Sequence, residues 1–409
     1  MRRFGSVTSN FTARKFTGLM IAALLLLPAL CYAAPTSAYM YVGWYLGQWP
    51  NFAEYVSGYA VAADGSIQPL PGFPVGGPSF GLVAVRNFII GDDGLHHVTS
   101  YTRGSDGSLR ETSTVDEYQY APQGEGMNMY ALNPDRAGQV LNTVISCGSC
   151  NSYILSFAIG SDGQLSFVGG PLPPGGPAKW DGVFFFSPAD DYAYTNGWGE
   201  FTTLRHNPDG SLTGLYSWPL PQQPVTQNWQ ENQVCYPGDV ASSSTGYVAM
   251  VWWGSQYWCD DFNTGYVMGT YTVGANGYLE LVPNTGFTPQ VLEISMAFDP
   301  SGSYLAIAGC LGQGNCEGHA ALQIYKLQSD SRLTPVGDMV TIASTDRLDQ
   351  VQWDNAGHLY AWGDAVCCRN GLVISPLYIY NFDGQNLTLA PDSPHMFANA
   401  VGLAVAPPQ

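Results

Sequence analysis

Apolar and polar residues alternate with a period of two along most of the chain beyond residue 35, the signature of half-buried strands whose side chains point to opposite faces. One unit recurs seven times: an alternating run, an Asp-Gly-type turn, a second alternating run, then a loop rich in Pro and Gly. VSGYAVAADGSIQPLPGFP (56–74), VTSYTRGSDGSLRETSTV (98–115) and YILSFAIGSDGQLSFVGGPLP (153–173) are the first copies; the others span 201–221, 266–287, 322–340 and 377–394. Each is expected to be a hairpin with a type I′ turn, whose two central residues both need φ > 0. The sixth copy carries Asp330-Ser331 where the others carry Asp-Gly or Asn-Gly, and departs from that chemistry.

Between these hairpins lies a second strand pair, clearest in MAFDPSGSYLAIAG (296–309) and looser at 129–144, 184–197 and 351–363. Each unit therefore holds four strands, here lettered a to d, with a short turn joining a to b and the Asp-Gly turn joining c to d. Four-stranded units repeating about every 50 residues predict an all-β fold, a seven-bladed β-propeller with antiparallel blades. The two ends fit the same scheme. NAVGLAVAP (399–407) reads as a strand a without its partner, and AYMYVGWYLG (38–47) as a strand b without its strand a. Pairing them completes one blade and closes the ring, which removes the open sheet edges.

The run GYAVAADGSIQPLPGFPVGGPS (58–79), repeated as SFAIGSDGQLSFVGGPLPPGGPA (156–178) and joined to FDPSGSYLAIAG, resembles the lactonase family of seven-bladed propellers, with its 6-phosphogluconolactonase-like members. The resemblance covers 38–409 and implies the propeller fold and, as an activity, lactone hydrolysis. Its motifs build blades, so it assigns no catalytic residue.

Charge and cysteine content narrow the setting. Residues 1–34 contain four basic residues (Arg2, Arg3, Arg14, Lys15), no acid and an apolar stretch, LMIAALLLLPAL (19–30), followed by small residues. That is the pattern of a signal peptide, and twelve apolar residues are too few to span a bilayer core of about 30 Å. Cleavage near Ala33–Ala38 and a periplasmic or secreted destination are expected. Of the 14 basic residues ten remain beyond residue 34, against 32 acids, a formal charge of −22. Such a surface repels phosphate backbones and anionic lipid, so nucleic acid and membrane are excluded as partners. Eight cysteines remain after Cys31, an even number suited to an oxidising compartment. The strand assignment places all eight in b–c or d–a loops on one face, with expected pairings Cys147–Cys150, Cys235–Cys259, Cys310–Cys316 and Cys367–Cys368.

The same face is where long loops converge on the tunnel mouth and where a ligand is expected. Acids and cations at or just before strand a are the catalytic candidates: Asp181, Glu293, Asp349, Lys179 and Arg347. Asn128, Asp239 and Asn399 are candidate ligand contacts, and Trp252 and Trp253 offer aromatic surface for a sugar ring. The Asp-Asp pairs at 92–93 and 260–261 are weak candidates for Ca²⁺. The six histidines show no metal-binding spacing, so no metal or cofactor site is expected from motifs. Two function classes follow. One is a monomeric binding or scaffold module that takes a small molecule, glycan or protein at the cysteine-bearing face. The alternative is a hydrolase of an unphosphorylated lactone or sugar derivative.

Overall fold

The computed structural model describes residues 35–47, 52–121, 128–146, 152–172, 184–197, 200–219, 221–224, 234–254, 266–311, 319–363, 366–369 and 372–409. Seven antiparallel sheets form a ring. Blade 1 comprises Phe80–Val85, Phe88–Asp92, His97–Arg103 and Leu109–Asp116 as strands a to d. Blades 2 to 6 follow within 128–172, 184–219, 234–281, 292–342 and 348–398. In blade 6 the b–c connection carries an extra short strand, Val366–Arg369, paired to strand c, Leu372–Phe382.

Blade 7 is built from both ends of the described chain. Its strand a is Ala400–Ala406, strand b Thr36–Leu46 and strand c Ala53–Ala62, with strand d split into Ile67–Pro69 and Val75–Gly76. Tyr41 sits opposite Ala404 on one side and Gly58 on the other, so the N-terminal strand is saturated with ladder partners. The expected closure is therefore present.

The period-two pattern now has a physical meaning. Along strand b of blade 7, Ala38, Met40 and Val42 pack into the core shared with blade 6, whereas Tyr39 and Tyr41 pack into the core shared with blade 1. In blade 4, Val248, Met250 and Trp252 face blade 3, while Ala249 and Val251 face blade 5. Both faces of a blade are covered, so each blade interface is its own apolar core. Polar straps add to this along the inner strands. Asp239 of blade 4 accepts the Met296 N–H of blade 5 (2.7 Å), and the Gln352 amide of blade 6 donates to the Leu403 carbonyl of blade 7 (3.0 Å).

The c–d turns differ from expectation. In the first copy the Gly65 N–H bonds the Ala62 carbonyl and the Ala62 N–H bonds the Ser66 carbonyl, so Ala63 and Asp64 are the central residues of a type I turn. Only the glycine that follows has positive φ, +82° at Gly65. The hairpins thus use a type I turn plus a left-handed bulge residue, not type I′. The aspartate is needed for its side chain: Asp64, Asp106 and Asp209 each accept the N–H two residues on, at 2.9–3.0 Å. In the sixth copy Ser331 occupies the bulge with φ +67°.

Ser331→Gly is expected to relieve that strain and stabilise the protein by about 0.5–1 kcal/mol. Gly107→Ala does the reverse, because φ is +81° and the added Cβ would meet the Tyr39 ring at 2.5 Å. Urea midpoints of the two variants should move in opposite directions.

Candidate functional site

The b–c and d–a connections share one face of the ring. There the closing blade and its neighbour bring acids together. Glu54 stands at the start of strand c of blade 7. Asp92 and Asp93 end strand b of blade 1 and begin its b–c loop, and His97 opens strand c. Glu117 starts the 3-10 turn Glu117–Gln119 that follows strand d of blade 1.

Asp93 organises this loop. Its Oδ1 accepts the N–H groups of Leu95, His96 and His97 at 2.8–2.9 Å, and its Oδ2 lies 2.6 Å from His97 Nδ1. Burial alone raises its pKa, but the hydrogen bonds from His97, Leu95 and His96 outweigh it and hold the carboxyl below its ordinary range. The His97 side chain remains 39% exposed.

The other carboxyls move the opposite way. Burial, reinforced by Asp93 and Asp92, pushes Glu54 up to about 7, although its Oε2 accepts the Ser79 N–H at 2.9 Å. Asp92 is also pushed up to about 7 by burial and by Asp93. Glu117 is 1% exposed and rises to about 8, through burial first and then Asp92, Asp93 and Asp116. Its Oε1 accepts from the Thr143 hydroxyl, and its Oε2 has no hydrogen-bond partner among the described residues.

A cavity of about 430 Å³ opens at this cluster, lined among others by Phe52, Glu54, Asp93, His97, Thr99 and Thr114. The Thr99 and Thr114 hydroxyls, on adjacent strands of blade 1, bond each other in its wall (2.8 Å). Chemically such an arrangement can move protons at neutral pH, with an imidazole oriented by a carboxylate and a carboxyl that burial pushes up to about 7. Asp93, His96 and His97 each offer a metal-ligand atom within 4.8 Å of the others. Asp93 and His97 are already bonded to each other, however, which suits a base and its orienting acid better than two ligands of one ion.

The residues expected from sequence are placed differently. Asp349 pairs with Arg347 (2.7 Å) and lines a separate cavity of about 280 Å³ with Gln350, Trp362, Val401 and Gly402. Asp239 has both oxygens engaged by backbone N–H groups, of Val240 and Met296, and is an inter-blade strap. Asn399 accepts the Val373 N–H and donates to the Tyr45 carbonyl, which ties blade 6 to blade 7. Trp252 is fully buried with its indole N–H on the Tyr271 hydroxyl (2.7 Å), so it belongs to the core rather than to a sugar platform. Asn128, Trp253 and Glu293 lie in strands, and of these three residues the backbone alone is described. Asp181, Lys179, Asp260, Asp261, Cys147, Cys150, Cys259 and Cys316 lie outside the described residues. Cys235, Cys367 and Cys368 fall within strands, again as backbone only. Cys310 is buried and disulfide-bonded.

Glu54 and Glu117 were not singled out by the sequence. Their only signal was an acid at a strand end on the b–c and d–a side, Glu54 between Ala53 and Tyr55 and Glu117 between Asp116 and Tyr118.

The raised Glu117 pKa carries a stability consequence. Its contribution is fully present below about pH 4.5 and is lost as pH rises through about 8, because the unfolded chain ionises first. Glu117→Gln should leave stability near pH 4.5 unchanged and raise it relative to the parent by about 2–4 kcal/mol at pH 8.5. Urea unfolding at the two pH values measures the difference.

No protein-family model matches the sequence, and no curated protein matches it. Solved structures do match in fold. A candidate 6-phosphogluconolactonase from Bacteroides uniformis aligns over 91% of this chain and 100% of its own, with a TM-score of 0.61 at 14% identity. A second, from Bacteroides fragilis, aligns over 91% and 98%, with 0.58 at 16%. A Lactobacillus plantarum protein aligns over 90% and 99%, with 0.58 at 12%. At such identity the likeness speaks for architecture. This chain is a seven-bladed β-propeller, similar in fold to these structures.

Proposed function

We propose that the cavity between blades 7 and 1 binds a small, uncharged lactone or sugar ester and opens it with water. The observation that carries this reading is the Asp93–His97 pair, 2.6 Å apart, lining one cavity with Glu54, whose carboxyl titrates near 7. Asp93 accepts from Nδ1–H, which leaves the Nε2 lone pair to take a proton from water. The resulting hydroxide adds to the carbonyl carbon, the ring C–O bond breaks, and the leaving alkoxide takes the proton held by Glu54. The fold shared with candidate lactonases supports the chemistry. An acid-rich lining without a described cation argues against a phosphorylated substrate.

One observation favours a second reading, a module that binds without turnover. The described lining supplies no cationic side chain to polarise a carbonyl, as acyl transfer ordinarily requires. Export to the periplasm or exterior, action as a monomer and the expected disulfide pairs belong to the same proposal. N-terminal sequencing of exported protein, starting between Ala33 and Ala38, checks the first.

A panel of unphosphorylated aldonolactones assayed by pH-stat decides between the two readings. His97→Ala is expected to lower kcat/KM by about 10²–10⁴-fold, and Glu54→Gln by about 10²-fold. Parent activity should fall as pH rises above about 7, where Glu54 loses its proton, and that limb should be missing in Glu54→Gln. Turnover indifferent to His97→Ala would sink the hydrolytic reading. Saturable binding of unchanged lactone, abolished in both variants, would instead identify a binding module.

A further inference from the structure

The opposite face, formed by the a–b and c–d turns, holds a second cluster that the proposed chemistry does not use. Asp135 lies in the a–b turn of blade 2, between Asn128–Pro134 and Val140–Ser146. Asp190 lies in the a–b turn of blade 3, between Phe184–Phe186 and Tyr192–Gly197, and His206 ends strand c of that blade, Glu200–His206. One ligand atom from each lies within 4.8 Å of the others.

The hydrogen bonds around these atoms define what the cluster presents. Asp135 is 5% exposed, and its Oδ1 accepts the N–H groups of Gln139 (2.6 Å) and Val140 (2.9 Å), which fixes the side chain and leaves its second oxygen available. His206 Nδ1 lies 2.7 Å from the Asp190 carbonyl oxygen. A carbonyl only accepts, so Nδ1 carries the hydrogen, and in the neutral ring the lone pair is on Nε2. That Nε2 and Asp190 Oδ1 are both buried and both without a hydrogen-bond partner among the described residues. A buried imidazole nitrogen and a buried carboxylate oxygen in one such cluster, neither with a partner, are unfavourable unless something sits between them. The Phe186 ring packs against His206 (5.2 Å) and limits its rotation. Arg136, whose charge acts on Asp190, donates to the Ser242 carbonyl (3.2 Å).

We infer that Asp135, Asp190 and His206 form a divalent metal site that clamps blade 2 to blade 3. One nitrogen and two carboxylate oxygens are the donor set of Zn²⁺ rather than of Mg²⁺ or Ca²⁺, which favour oxygen alone. With bonds of about 2.0–2.2 Å, tetrahedral ligand atoms stand about 3.3–3.6 Å apart, so the three side chains would draw together around the ion and leave a fourth position to water. The imidazole N–H to backbone carbonyl bond is the outer support that metal-bound histidines ordinarily have. The ion's role is structural, since the site is on the turn face and away from the proposed pocket.

The test is Zn²⁺ titration of the full chain, stripped with chelator and buffer-exchanged, followed by calorimetry and by equilibrium dialysis with elemental analysis. One equivalent should bind, and thermal melts should shift upward by several degrees in excess Zn²⁺. Asp135→Asn keeps the amide oxygen as the turn cap but removes a ligand oxygen, and His206→Gln removes the imidazole. Each should weaken Zn²⁺ binding at least about 10-fold and abolish the melting shift, while Asp64→Asn, at an exposed turn, should change neither. If Asp135→Asn fails to fold, His206→Gln decides alone. No bound Zn²⁺ at large excess, or one equivalent held equally well by His206→Gln, overturns the inference.

Discussion

A four-stranded sheet with two apolar faces has no stable existence alone, and the rest of this protein depends on how the ring of blades covers those faces. Neighbouring blades cover them. Each blade keeps a short inner and outer edge, and the pairing of Ala400–Ala406 with Thr36–Leu46 completes the last blade so that the ring closes. Through that pairing the first and last described strands become one blade, and the strand that carries Glu54 is fixed beside blade 1. The candidate site therefore straddles the closure. Its geometry is only as firm as the ladder through Tyr41, Val42 and Gly43.

The two faces of the ring treat carboxylates in contrasting ways. At the exposed c–d turns Asp64, Asp106 and Asp209 accept hydrogen bonds from Ser66, Ser108 and Ser211, and their pKa values are lowered by those bonds. These acids serve the fold. At the opposite face Glu54, Asp92 and Glu117 each feel the charge of Asp93, and burial drives all three upward. Such a group opposes folding at neutral pH. Two of its acids, Glu54 and Asp93, line one cavity with an oriented histidine, which is what distinguishes a site from a structural motif. The Asp135–Asp190–His206 group is the exception on the turn face: Asp135 caps its own turn, but Asp190 Oδ1 and His206 Nε2 have no hydrogen-bond partner among the described residues.

Much of the architecture was legible in the chain. The alternation, the seven Asp- or Asn-based turns and the complementary half-blades at 38–47 and 399–407 gave blade number and closure, because local hydrophobic period and turn chemistry suffice to specify a repeated hairpin. The turn type was misassigned for a related reason. Asp-Gly suits both type I′ and a type I turn with a bulge, and which forms is settled by the hydrogen bonds of the flanking strands. Ser331, at φ +67°, shows that the backbone demand is confined to a single bulge position.

Site residues were far less legible. Asp239 and Asn399 are polar residues near strand a and read as ligand contacts, yet their polar atoms hold neighbouring strands together. Trp252 sits in an aromatic run, yet strand alternation turns it into the core of blades 3 and 4. Glu54, Asp93 and Glu117 come from two blades and three separate segments, and nothing local marks them as neighbours. The sequence by itself determined the repeat, the strand polarity and the closing of the ring, since each of these rests on contacts within a few residues or on complementary ends. Only the tertiary structure decided which acids share a cavity and which cap a turn. Proton affinity depends on burial and on charges brought close through space, and neither is written in any short stretch of chain.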